Sequence, residues 1–238
     1  MVSNNISKKA EKADKVVEFK AGEETVKLSP SIVRRYLVNG NGAVTDQEVV
    51  MFLNLCRFQH LNPFLREAYL IKYGSSPATL VVGKDAITKR AMRNTAFAGQ
   101  QAGVVVQALE TGELEYRPGA LVLDDEKLVG GWAKVFVKGY QEPMEAVVGL
   151  GEYIGTKKTG EVNEQWTKRP ATMIRKVALM QALREAFPDD LAGMYDSSEM
   201  GVDINEIAVA PVTMDDLPPA GQSEPVRTEE PMEAPEGF

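Results

Sequence analysis

Pro170-Ala171-Thr172-Met173-Ile174-Arg175-Lys176-Val177-Ala178-Leu179-Met180-Gln181-Ala182-Leu183-Arg184-Glu185-Ala186-Phe187 is the strongest helical stretch of the 238-residue sequence. Proline at its first position suits a helix start, where the missing N–H has no intrahelical acceptor to lose. Met173, Ile174, Val177, Leu179, Met180, Leu183 and Phe187 occupy most directions around the axis, so this helix belongs inside a core rather than on a surface. Pro188-Asp189-Asp190 opens a shorter successor.

A buried helix needs a cover, and the residues upstream supply one. Gly99 to Leu109, Leu114 to Tyr116, Ala120 to Leu123, Trp132 to Val137 and Glu145 to Val148 read as strands, with turns at Thr111-Gly112, Asp124-Asp125 and Lys138-Gly139; this region predicts an antiparallel meander. Before it, Ala68 to Tyr73 and Thr79 to Val82 flank Gly74-Ser75-Ser76-Pro77 as a hairpin, and Lys84 to about Asn94 is helical. Ser29-Pro30 opens a short helix through Ile32, Val33, Tyr36 and Leu37 that ends at Asn39-Gly40. Thr45-Asp46-Gln47-Glu48 has capping-box spacing and introduces Val49, Phe52, Leu53 and Cys56 in a helix to about Gln59. The order helix, hairpin, helix, meander, helix predicts an α+β fold with a long helix near the C-terminal end of the core. Residues 1–28 read as a charged N-terminal arm, solvated or a frayed helix, 29–201 as the core, and 202–238 as a disordered acidic tail holding six of the 13 prolines.

Composition narrows the function. The chain is 44% hydrophobic, with one cysteine, one histidine and a net charge of −7. No apolar run approaches the roughly 20 residues of a membrane span, and no signal-peptide pattern opens the sequence, which predicts a cytoplasmic protein. A single Cys56 and His60 make an intrachain disulfide, a Cys/His zinc site or a Ser-His-Asp hydrolase untenable as readings. Cys56 reads as a small buried hydrophobe and His60 as a helix-end residue. The charge is uneven: from Asp203 onward nine acids face Arg227 alone, a net of −8 that leaves about +1 on residues 1–202.

Gly149-Leu150-Gly151-Glu152-Tyr153-Ile154-Gly155-Thr156-Lys157-Lys158-Thr159 fails the phosphate-loop pattern in either register, and its glycines read as a structural turn. Asp124-Asp125-Glu126 reads as a solvated turn, and Glu67 with Asp85 is too sparse for a metal-dependent nuclease. Basic residues carry more information. Arg57, Arg66, Lys72, Lys84, Lys89, Arg90 and Arg93 against Glu67 and Asp85 give +5, and Lys157, Lys158, Lys168, Arg169, Arg175, Lys176 and Arg184 against Glu161 and Glu164 give +5 again. Lys168 and Arg169 stand at a helix start, where the dipole disfavours cations unless an anion is bound. Lys168 with Arg175, and Arg169 with Lys176, fall on one side after two turns. Trp166 and Tyr153 in this zone can stack on bases; the alternative for Trp166 is to anchor its loop against the core. Met173 and Met180 read as core packing.

Leu61-Asn62-Pro63-Phe64-Leu65-Arg66-Glu67-Ala68-Tyr69, Val81-Val82-Gly83-Lys84-Asp85, Trp166-Thr167-Lys168-Arg169-Pro170-Ala171-Thr172-Met173-Ile174-Arg175-Lys176, Arg184-Glu185-Ala186-Phe187 and Gly193-Met194-Tyr195-Asp196 together resemble the Bet (Redβ) and RecT group of phage single-strand annealing proteins. The resemblance runs in order over about residues 45–200. It implies a recombination protein, not an enzyme, without metal or cofactor. Such a protein coats single-stranded DNA, oligomerises on it as a ring or helical filament, and anneals complementary strands into duplex without ATP. It also implies a Rad52-like core in which a sheet and a long helix line a basic groove. Arg66, Lys72, Lys157, Lys158, Arg175 and Arg184 fall at or near the group's DNA-contacting positions. Lys84, Trp166, Lys168, Arg169 and Lys176 join them as DNA-binding candidates. Where Redβ has further basic residues in the long helix this chain has Ala171, Thr172 and Val177. That relative recruits a phage exonuclease and the host single-strand-binding protein through a folded C-terminal module; here the Pro/Glu-rich tail stands in its place. The alternatives are a passive single-strand-binding protein and, from the enzyme class, a metal-dependent nuclease.

Overall fold

A computed structural model describes residues 14–156 and 159–200. The chain begins with a hairpin, β1 (Val17–Ala21) and β2 (Glu24–Leu28). A short helix α1 (Pro30–Ile32) then loosens into a π turn over Val33–Leu37. β3 (Val38–Asn39), α2 (Asp46–Phe58), β4 (Ala68–Ile71), β5 (Thr79–Val82) and α3 (Lys84–Arg93) follow. The meander is β6 (Phe97–Ala108), β7 (Leu114–Pro118), β8 (Glu126–Val137) and β9 (Met144–Gly149). Four helices complete the chain: α4 (Leu150–Tyr153), α5 (Glu164–Lys168), α6 (Pro170–Ala186) and α7 (Pro188–Leu191).

The fold is α+β. Its main sheet has the order β7-β6-β8-β9, antiparallel throughout, and a smaller sheet has the order β3-β4-β5 with β3 parallel to β4. Along β6, β8 and β9 alternate residues point one way, and Val104, Val106, Ala133, Val135, Ala146 and Val148 are buried on the face that packs against α6. Helix α6 answers with Ile174, Val177, Ala178, Met180, Ala182 and Leu183, all fully buried. A methyl at Gly131 would lie 2.6 Å from the carbonyl oxygen of Ile174, so β8 and α6 are in backbone contact there and no larger residue fits. Truncating Ile174 to Ala at this crossing costs about 2–5 kcal/mol.

Several local expectations are met with their chemistry visible. The Thr45 hydroxyl accepts from the Glu48 N–H at 3.2 Å while the Glu48 carboxylate accepts from the Thr45 N–H at 2.8 Å, closing the capping box at the start of α2. Cys56 is buried on the apolar side of α2, and burial pushes its thiol up to about 12, which makes it inert.

Three expectations are corrected. Residues 17–28 are not a solvated arm: Phe19, Val26 and Leu28 alternate with charged residues, pair across the hairpin and join the core. The interleaved Glu and Lys side chains on the wet face masked that alternation. The hairpin is fastened where the His60 ring nitrogen Nδ1 meets the Lys20 carbonyl at 2.8 Å and Asn62 donates to Glu24 at 2.9 Å. Ala120–Leu123 is not a strand but an open connection ahead of β8. Glu126 is not a solvated turn residue: it opens β8, and Arg117 donates to it at 2.6 Å. The expected tail, 202–238, lies outside the described residues. Among the described residues no helix is long and apolar enough to cross a membrane.

Candidate nucleic-acid interface

A groove of about 780 Å³ runs between the starts of α3 and α6. One wall comes from the Pro63–Leu65 turn, the end of β5 and the first turns of α3. The other comes from the junction of α5 with α6 and the first two turns of α6, and Asp196 and Ser197 close it. The turn is tight because Arg66 adopts a left-handed conformation, φ 60°, with its N–H donating to Pro63 at 3.1 Å. Gly83 follows from that turn: a methyl there would lie 2.9 Å from the Arg66 carbonyl oxygen. As the N-cap of α3, Gly83 also brings no side-chain oxygen to the first-turn N–H groups, and Arg169 brings none to those of α6. Two helix starts without side-chain caps therefore line one groove, each with the partial positive charge of its dipole.

Nine ionisable groups of opposite sign line the same space: Arg66, Lys84, Lys89, Arg169, Arg175 and Lys176 against Glu67, Asp85 and Asp196. Two of the cations are spoken for. Lys89 reaches Glu67 at 3.3 Å, and Lys176 holds the buried carboxylate of Asp196 at 2.6 Å. Arg175 donates its Nε to the Ala102 carbonyl at 3.1 Å, which fixes the guanidinium at the groove and leaves its terminal nitrogens free of any carboxylate. Among the described residues Arg66, Lys84 and Arg169 have no ion-pair partner. Asp85 sits in the first turn of α3, where the dipole favours a carboxylate. Tyr69 lines the floor, and burial pushes its phenol up. Leu65 and Met92, both exposed, give the groove an apolar lip.

The other residues singled out in the sequence are placed differently. Lys72 is 6% exposed and donates to both oxygens of Glu48 at 2.6 and 2.8 Å, joining the start of α2 to the β4 edge. The bonds from Lys72, from the Thr45 N–H and from the Ala78 N–H pull the Glu48 carboxyl down to about 2. Arg184 donates to Glu199 at 2.8 Å and lies 4.6 Å over the Tyr195 ring. Lys168 is exposed and pairs with Glu164 one turn earlier on α5. Trp166 is 2% exposed, packed beneath Gly155, with its backbone N–H donating to the Asn163 side chain at 3.1 Å; it is an anchor and not a stacking platform. The Tyr153 hydroxyl is taken by the Gln181 amide. Lys157 and Lys158 lie outside the described residues. Sequence reasoning missed the carboxylates of Asp196 and Glu199 as partners of Lys176 and Arg184. Acidic residues following a basic helix were the available signal.

Fold and groove together define an α+β protein with a cationic cleft built on two helix starts. The chain belongs to the RecT family, whose profile matches residues 23–211. Among curated proteins it is similar to an uncharacterized protein of Ureaplasma parvum serovar 3, 28% identical over 165 residues. The match covers 67% of this chain and 64% of that relative's length.

Proposed function

We propose that this chain binds single-stranded DNA along the groove, oligomerises on it and anneals complementary strands without ATP, as a recombination protein and not as an enzyme. The observation that carries the reading is the meeting of four cations without carboxylate partners, Arg66, Lys84, Arg169 and Arg175, with two helix starts lacking side-chain caps, in a member of the RecT family. Backbone N–H groups and guanidinium groups converging on one cleft suit phosphate oxygens, and phosphate contacts are indifferent to sequence. Each neutralised phosphate releases counterions, so affinity falls with a slope of about −0.7 per contact in log salt for a single strand. With backbone repulsion lowered, two complementary strands approach and base pairing supplies the specificity.

Lys157 and Lys158, two and three residues beyond Gly155, are assigned to the same DNA path. Ring or filament assembly, a Rad52-like arrangement of the core, residence in the bacterial cytoplasm, and recruitment of a phage exonuclease and the host single-strand-binding protein belong to the same reading and rest on the family. The test is annealing of complementary oligonucleotides mixed with the protein in the absence of nucleotide and metal. Accelerated duplex formation supports the reading. Tight single-strand binding with no acceleration would leave a passive binder instead.

A further inference from the structure

We infer that the groove has a second occupant within the same chain: the acidic stretch from Asp203 to Glu236 lies in the cationic cleft when DNA is absent, and DNA must expel it. The inference rests on the groove being the DNA site. Charge complementarity is the first ground. The stretch carries nine acids and a single arginine, and the cleft presents four cations without carboxylate partners beside two helix starts open to anions.

The second ground is where the stretch is tethered. The chain after α7 returns to the groove and is fastened there. Tyr195 accepts from the Val82 N–H at 2.8 Å, Asp196 takes Lys176 at 2.6 Å, and Ser198 donates its N–H to Asp196 at 2.9 Å. Glu199 is then gripped by Arg184 at 2.8 Å. Asp196 and Ser197 are themselves part of the groove wall. Asp203 follows Asp196 by seven residues, at most about 25 Å of fully extended chain, and Glu206 by ten, about 35 Å. Carboxylates on so short a tether meet the cleft at an effective concentration of order millimolar, far above that of any free peptide.

Lys176 and Arg184 thus act as positioning residues: they hold the departure point of the acidic stretch at the mouth of the cleft. A cleft already occupied by carboxylates has shed part of its counterions, so DNA entering it releases fewer. The occupant weakens DNA binding and makes it less sensitive to salt. A strand long enough to cross several protomers overcomes the competition, and a short one does not.

The test uses the full-length chain with the nine acids changed to their amides (Asp203→Asn, Glu206→Gln and so on), compared with the native chain for binding of oligo(dT) at several salt concentrations. The amide chain binds about tenfold tighter at low salt, with a log–log slope steeper by about one or more. The same comparison is made with Lys84→Ala and Arg169→Ala added to both chains, where the gain collapses because the acids no longer have a cleft to block. Equal affinity and slope for the native and amide chains would overturn the inference while leaving the groove assignment intact. A tenfold gain that persists in the Lys84→Ala/Arg169→Ala background would overturn it too, since it reports repulsion spread over the whole protein. If Lys84→Ala/Arg169→Ala binds DNA as well as the native chain, the groove assignment itself fails and the inference with it.

Discussion

Helix α6 carries cations along its length, and the two ends treat them in opposite ways. At its start Arg169 and Arg175 open onto the groove with no carboxylate opposite, whereas Lys176 and, two turns later, Arg184 are engaged by Asp196 and Glu199. The difference does not lie in the helix. It lies in the segment packed against it, because the carboxylates of residues 194–200 reach Lys176 and Arg184 and leave Arg169 and Arg175 bare. The bare end offers charge to a ligand, and the covered end uses the same charge to hold the chain in place.

The sharpest way to break this contrast is to empty the bare end. Lys84→Ala combined with Arg169→Ala removes one free cation from each groove wall. Single-strand binding is expected to fall by about 100-fold at moderate salt, and the slope in log salt to flatten by about 1.4, the value for two phosphate contacts. Neither residue is packed in the core, so the melting temperature stays within about 2 °C. Filter binding over a salt series, with a thermal melt alongside, reads both. An unchanged slope would show that DNA takes another path.

The covered end answers differently. Arg184→Ala leaves the Glu199 carboxylate, 5% exposed at the side chain, without its cation. Stability drops by about 2–3 kcal/mol and the melting temperature by roughly 5–10 °C. The salt slope of DNA binding does not flatten, because no phosphate contact is lost. A flattened slope with unchanged stability would exchange the roles assigned to the two ends.

Sequence reading separates these ends only in part, and the reason is physical. The helix, its burial, the meander beneath it and the capping box at Thr45 follow from periodicity and local hydrogen-bonding chemistry, which act over a few residues. Whether a lysine is free or paired depends on which distant carboxylate the fold delivers to it. Lys72 and Glu48 are 24 residues apart, and Arg184 and Glu199 are 15 apart. Nothing local marks them as partners. Likewise Trp166 has the composition of a stacking residue and the environment of a core residue, because Asn163 and Gly155 turn its ring inward. Gly83 is a further case: nothing local marks it as necessary, and the need comes from Arg66, whose carbonyl oxygen in the left-handed turn would lie 2.9 Å from a methyl there.

Lys72 gives a paired cation outside α6, through which the contrast is sharpened by pH. Hydrogen bonds from Lys72 and from two backbone N–H groups lower the Glu48 carboxyl to about 2 in the folded chain, against about 4.3 for an unfolded glutamate. A carboxyl with a depressed folded pKa contributes stability that is fully present above the unfolded value and is lost as pH falls from there toward the folded one. The urea midpoint of the native chain therefore falls between about pH 4.5 and pH 2, and Glu48→Gln, though less stable at neutral pH, shows a shallower acid limb over that window. Parallel acid limbs for the two chains would remove Glu48 from this role. DNA binding near pH 7 does not register the change, since Glu48 is ionised throughout.

The smallest effect comes from the closest comparison, two adjacent cations at the α5–α6 junction. Lys168 and Arg169 are both exposed, but Lys168 pairs with Glu164 on its own helix while Arg169 lines the cleft without a partner. An exposed pair of this spacing contributes only about 0.3–0.5 kcal/mol to stability, and its lysine is turned toward a carboxylate rather than toward the groove. Lys168→Ala is expected to change DNA affinity by less than about twofold, while Arg169→Ala alone lowers it by about tenfold, as loss of a charged hydrogen bond to phosphate does. If binding responded only to the net charge of the basic zone, the two substitutions would cost the same. Equal losses at Lys168 and Arg169 would therefore mean that the cleft attracts DNA by its overall field, and that the geometry of the two helix starts adds nothing to the grip.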